Sequence, residues 1–212
     1  SAVKTFLDCK RKFYFQYLCG GLKSSDEKDE VLGTKIHNIL HEMGSEFDER
    51  KVAPLLELCN IDDRLDLEIS LKNLGSFFRE QKTALQNGRK IIALEQRKAF
   101  KIGDFDFTCR VDRIDSVESS VNDGDLADLA NPKIQIIDYK FKKNFNVKDE
   151  GFLQLLIYKT AFEREFGDSC IECLYFDLLK NKAFIMDTSA EVEAREILDS
   201  ALLALSGEVD FC

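Results

Sequence analysis

The hydrophobic period of this chain changes at Asn87-Gly88. Before that point apolar residues recur at helical spacing. After it, KIIALEQRKAFKIGDFDFTCRVDRIDSV alternates as half-buried strands do, around a break at Gly103-Asp104. This run predicts an antiparallel hairpin, and the flanking segments fall into place around it. VKTFLDCKRKFYFQYLCGG reads as a helix stopping at Gly20-Gly21, followed by a charged loop, KSSDEKDE. A second helix is expected to open at Gly33-Thr34, with Thr34 as its cap, and to carry His37 and His41. A short helix is expected over 52–60 and a longer one over 62–87. Beyond the hairpin lie a polar, acidic insertion (119–132), a strand around QIIDYKFKK and a helix over 150–166. A strand pair, CIECLYFDLL and KAFIMDT, and a helix over 189–205 complete the chain. This order predicts an α/β fold with a mixed sheet.

The 212 residues suffice to bury a sizeable core. We read 1–212 as one domain, with 1–88 mainly helical and 89–212 the α/β core. No stretch nears the roughly 20 apolar residues that span a bilayer, and no signal-peptide core precedes the first helix. The expected location is therefore cytoplasmic. The start at Ser1 rather than Met suggests a domain excised from a longer chain. Seven cysteines at irregular spacing fit reduced thiols. Cys170 and Cys173 form a C-x-x-C, but on a strand those positions face opposite sides, which makes a poor chelate. The net charge of −9 argues against a protein that coats nucleic acid. It leaves room for a nuclease, whose metal site needs carboxylates and whose cations can be gathered locally.

The strand QIIDYKFKK places Asp138 and Lys140 on one face and Tyr139 on the other. An acid beside a base is either a solvated edge or half of a site. Asp112, in CRVDRID, lies 26 positions earlier on what would be a neighbouring strand. Two carboxylates on adjacent strands can hold one hard cation, with Lys140 beside it. Gln154 and Tyr158, four apart in FLQLLIYKTAF, share a helical face. His37 and His41, one turn apart, could bind zinc, although the Glu and third ligand of a zinc hydrolase are missing from that pattern.

Taken together, FLDCKRKFYFQYL, GTKIHNIL, LEQRKAF, CRVDRID, IIDYKF and QLLIY, in this order, resemble the RecB-like nucleases of the PD-(D/E)XK superfamily. The likeness is greatest to the C-terminal nuclease domain of AddB-type helicase–nuclease subunits and spans nearly the whole chain. It implies a restriction-endonuclease-like mixed β-sheet flanked by helices, with an N-terminal helical segment. It further implies Mg²⁺ or Mn²⁺ held by His37, Asp112, Asp138 and the Tyr139 carbonyl. Lys140 would position the attacking water, Gln154 and Tyr158 would line the strand channel, and Glu95 would take a supporting role. The implied activity is a DNA exonuclease on single-stranded ends, working beside a helicase in double-strand-break repair. The alternative is a nuclease-fold module that has lost catalysis and binds DNA or acts as a scaffold.

Two positions depart from the pattern. Relatives often carry a 4Fe-4S cluster on one N-terminal and three C-terminal cysteines. Cys9 and Cys212 match the first two, so either a longer protein completes the cluster or this protein lacks it. Cys109 stands where relatives usually have a small Gly.

Overall fold

The structure, a computed structural model, describes residues 2–9, 27–46, 48, 50, 64–117, 133–141, 145–167 and 171–206. The strands among them form one mixed sheet in the order β1-β2-β3-β4-β5. They are β1 (Arg89–Ile102), β2 (Phe105–Val117), β3 (Lys133–Lys140), β4 (Ile171–Asp177) and β5 (Lys182–Ile185). The helices are α1 (Ala2–Asp8), α2 (Glu27–Met43), α3 (Arg64–Gln86), α4 (Val147–Glu150), α5 (Leu153–Phe166) and α6 (Thr188–Ser206). The predicted hairpin is β1–β2, paired antiparallel up to Ile102 and Phe105. Its two-residue turn has Gly103 at φ +58°, which glycine adopts without steric cost. β3 runs antiparallel to β2 and parallel to β4. A parallel pair needs a crossover, and α4 and α5 supply it.

Alternation along β3 sorts the core into two layers. Ile134 and Ile136 pack with Leu155, Leu156 and Phe162 of α5, Leu198 of α6 and Phe6 of α1. Ile137 and Tyr139 face the other way, against Ile36, Leu40 and Met43 of α2 and Leu74, Phe77 and Phe78 of α3. The spacing of Ile36, Leu40 and Met43 is that of one helical stripe. The α/β class and the mixed sheet flanked by helices are as the sequence pattern predicts.

Two element boundaries are not. α2 begins at Glu27, so Gly33 and Thr34 lie inside the helix and Thr34 is not its cap. The Glu27-Lys28-Asp29-Glu30 run, expected to be loop, forms the first turn of the helix. The helix expected over 150–166 is α5 and starts at Leu153; the short α4 precedes it and ends at Gly151, at φ +63°, whose N–H donates to the Val147 carbonyl at 2.8 Å. The expected helix at 52–60, the 119–132 insertion, most of the first helix, Cys170 and Cys212 lie outside the described residues.

One polar cluster sits within the apolar layers. Arg113 and Asp115, two apart on β2, share a face, and both side chains are fully buried. Arg113 Nε and Nη2 donate to the two Asp115 oxygens at 2.6 Å each, and Nη1 donates to Tyr139 Oη at 3.2 Å. Arg89 on β1 reaches Asp115 at 3.4 Å. Such a pair adds little net stability when intact, but removing one partner leaves a charge buried alone. Asp115→Ala is expected to lower unfolding stability by about 3–5 kcal/mol, measured by denaturant titration followed by circular dichroism.

Candidate active site

The site begins where β2 and β3 part. Their ladder ends at Arg113 and Ile137, and the next residues on each strand are Asp112 and Asp138. Both carboxylates are buried, 8% and 3% exposed, where an unpaired charge would be costly. In place of a continued ladder, the Tyr139 N–H donates to Asp112 Oδ2 at 2.8 Å. The two acids expected to converge do so, on adjacent strands.

Asp138 and Lys140 point together towards α5, as alternation requires. Lys140 Nζ lies 2.7 Å from Asp138 Oδ2, donates to Gln154 Oε1 at 3.0 Å and sits 4.8 Å from the centre of the Tyr175 ring. Gln154 Nε2 donates to Asp138 Oδ1 at 3.0 Å and to Tyr158 Oη at 2.6 Å. Tyr158 Oη in turn donates to Asp138 Oδ1 at 3.1 Å. The helical pair and the strand pair thus form one network. Burial raises the affinity of Asp138 for a proton, Lys140 opposes that, and the neighbouring Asp112 charge adds to it; the net shift is upward. Burial and the same two carboxylates also push the Tyr158 phenol up, so it stays a donor.

His37 enters from α2, next to the buried Ile36. Its Nδ1 is 3.2 Å from Asp112 Oδ1, and its ring meets Tyr139 edge-on. Burial lowers its pKa, but the hydrogen bond and charge of Asp112 outweigh this, and the net shift is upward. Glu95 faces Asp112 across the β1–β2 pair, at a backbone φ of +52°, a region that non-glycine residues seldom occupy. Ligand atoms of His37, Glu95 and Asp112 lie within 4.8 Å of one another. Arg110, two residues before Asp112, pairs with Glu95 at 3.0 Å. An open cleft of about 420 Å³ is lined by His37, Arg110, Asp112, Asp138, Lys140, Gln154 and Tyr158, among others.

A profile of the PD-(D/E)XK nuclease superfamily matches residues 1–208. The chain belongs to the PD-(D/E)XK nuclease superfamily. A search of curated proteins returns no match. Among solved structures, the chain is similar to the "Putative exonuclease" from Eubacterium rectale, with a TM-score of 0.59 at 11% identity. The likeness covers 99% of this chain and 81% of that one, and at this identity it shows a shared fold.

PD-(D/E)XK nucleases generally use divalent metal ions, and the donors here fit one. Carboxylates and an imidazole suit Mg²⁺ or Mn²⁺. Asp138 Oδ2 is buried, and apart from its ion pair with Lys140 it accepts no well-aligned hydrogen bond. Two buried carboxylates side by side are a charge arrangement that a dication would relieve. The tightest ligand group among the described residues contains Glu95, which sequence reasoning gave only a supporting place, and omits Asp138. His41 is exposed and outside that group, so the two histidines do not form a shared metal site.

Sequence reasoning missed Arg110 and Tyr175. Arg110 carries a signal in hindsight, since i, i+2 spacing puts it on the face of Asp112. Tyr175 carries none, because it reaches Lys140 only through the parallel β3–β4 register that pairs Asp138 with Tyr175. Burial holds the Cys109 thiol up at about 11 and the Cys173 thiol up at about 12, so both stay protonated at neutral pH. Cys9 is exposed beyond the end of α1. No helix among the described residues is long and apolar enough to cross a membrane.

In the metal-free protein His37 should titrate above 6.5 by NMR, and Asp112→Asn should bring it to that value or below. The sign for stability follows from the raised folded-state value. The His37–Asp112 contact stabilises fully below pH about 6.5 and loses its effect as pH climbs through the folded-state pKa.

Proposed function

We propose that this chain is a metal-dependent deoxyribonuclease. We read it as an exonuclease acting on single-stranded ends, serving double-strand-break repair beside a helicase subunit or region, in the cytoplasm. The observation that carries the chemistry is one cleft lined by His37, Asp112, Asp138 and Lys140, with a Glu95 carboxylate oxygen within 4.8 Å of ligand atoms of His37 and Asp112. Superfamily membership supports phosphodiester hydrolysis, and the name of the E. rectale structure supports exonuclease action. The helicase partner rests on the resemblance of the sequence motifs to AddB-type subunits.

His37, Asp112, Asp138 and the Tyr139 carbonyl, with Glu95 beside them, are the groups that would hold Mg²⁺ or Mn²⁺. When bound, the ion supplies charge relief on the phosphate and a lower pKa for water. The protein groups do the rest. Lys140 presents an ammonium next to Asp138, where it can donate to an incoming water and to oxygen that gains negative charge. Gln154 Oε1 and the Tyr175 ring fix that ammonium, so little reorganisation accompanies the reaction. Tyr158 and the Gln154 amide occupy Asp138 Oδ1, which leaves Oδ2 as the oxygen turned to Lys140. Hydrolysis adds water across one P–O bond, and the leaving oxygen departs on the side opposite the attack.

Lys140→Ala should lower kcat at least about 10²-fold while the melting transition survives, and Asp138→Ala or EDTA should abolish cleavage. Digestion of labelled single-stranded DNA with Mg²⁺ checks each. Undiminished cutting by both variants would remove the assignment. A folded wild-type chain that retains labelled DNA without cutting it would make the non-catalytic module the better reading.

A further inference from the structure

We infer that Arg110, paired with Glu95, is a phosphate-binding residue of the cleft, freed for a nucleic-acid backbone phosphate when Glu95 turns its charge to a divalent ion. This deepens the nuclease reading and rests on it. Four observations converge. Arg110 lines the same cleft as Asp112, Asp138 and Lys140. Its side chain is 54% exposed, so packing does not hold it. Its partner is Glu95, at 3.0 Å through Nε. Glu95 also offers a carboxylate oxygen within 4.8 Å of ligand atoms of His37 and Asp112, on a backbone φ of +52°. A non-glycine residue keeps such a φ only where its surroundings impose it, and here it places the carboxylate between two claimants.

Those claimants compete for the same charge. A dication shared by Glu95, His37 and Asp112 would take up the carboxylate charge and repel the adjacent guanidinium. Arg110, which lines the cleft, is then left without its counter-ion. The other cationic side chains of the cleft are less free to respond. Lys140 is engaged by Asp138, Gln154 and the Tyr175 ring, and His37 faces Asp112. In a protein of net charge −9, a polyanion needs a local cation. The planar guanidinium fork fits two phosphate oxygens. The exchange of partners would couple cation binding to strand binding without a change of fold.

The test uses Arg110→Ala and Arg110→Lys in the whole chain. Mn²⁺ binding is measured by isothermal titration without nucleic acid. Strand affinity is measured with a fluorescent single-stranded oligonucleotide and Mn²⁺, in a Lys140→Ala background that suppresses cutting. Arg110→Ala should bind Mn²⁺ about fivefold more tightly, because a competitor for Glu95 is gone. It should bind the oligonucleotide about tenfold more weakly, with the slope of log affinity against log salt shallower by about 0.7. Arg110→Lys should restore the slope but only part of the affinity, since an ammonium lacks the fork. Unchanged or weaker Mn²⁺ binding by Arg110→Ala, or unchanged oligonucleotide affinity, overturns the inference while leaving the nuclease reading intact. An unmodified chain that binds no Mn²⁺ overturns both.

Discussion

The hydrogen bond from the Tyr139 main-chain N–H to Asp112 Oδ2 is the contact on which the site depends. It lies just past the last β2–β3 pair, Arg113 with Ile137, where the two strands would otherwise go on exchanging main-chain bonds. A side-chain acceptor there lets the strands separate without leaving a buried N–H unsatisfied. Beyond that point β2 remains paired only with β1, and β3 only with β4. Asp112 and Asp138, on either side of that parting, line the cleft. Asp112 therefore both ends the ladder and offers its other oxygen, Oδ1, to His37.

That parting collects like charges in a place with little water. Asp112 and Asp138 are nearly inaccessible, and Glu95 approaches from β1. An isolated buried carboxylate costs several kcal/mol, so the fold distributes compensation around each one. Lys140 serves Asp138, Arg110 serves Glu95, and His37 with the Tyr139 N–H serves Asp112. The compensation is incomplete at Asp138, whose carboxyl still favours its proton more than an ordinary aspartate would. Residual strain of this kind belongs to a binding site. A stability-optimised core would carry apolar residues at these positions.

Much of this was legible before coordinates. The alternation in β1, β2 and β3 set which residues share a face, so the joint orientation of Asp138 and Lys140 and the opposite orientation of Tyr139 follow from period alone. Gly103-Asp104 marked the hairpin turn, and the i, i+4 spacing of Gln154 and Tyr158 put them on one side of α5. What stayed hidden had a physical cause in each case. Gly33-Thr34 carries the local signature of a helix entry, but a glycine inside a helix costs only about 1 kcal/mol relative to alanine, so α2 runs through the pair from Glu27. The break at Gly151 depends on one left-handed backbone angle inside a helical pattern. The approach of Glu95, expected only in a supporting role, to His37 and Asp112 goes with another, at a position where the residue type gives no warning. Tyr175 depends on the parallel register of β4 against β3, a long-range pairing that local sequence does not encode.

Period also explains why a tyrosine stands between the acid and the base. A strand that turns Asp138 and Lys140 to the cleft must turn the residue between them to the opposite face. Whatever occupies that position can hold the strand from behind. The Tyr139 ring is buried edge-on against Phe77, and its hydroxyl accepts from Arg113, itself clamped on Asp115. Its N–H is bound to Asp112 on the front. The residue is thus fixed at its main chain, its ring and its hydroxyl, by groups from β2 and α3. A smaller apolar residue would fill the layer but lose the hydroxyl, and with it the link between the buried Arg113–Asp115 pair and the strand edge. The main chain of Tyr139, and with it the strand that carries Asp138 and Lys140, is thus braced from the face opposite those two side chains.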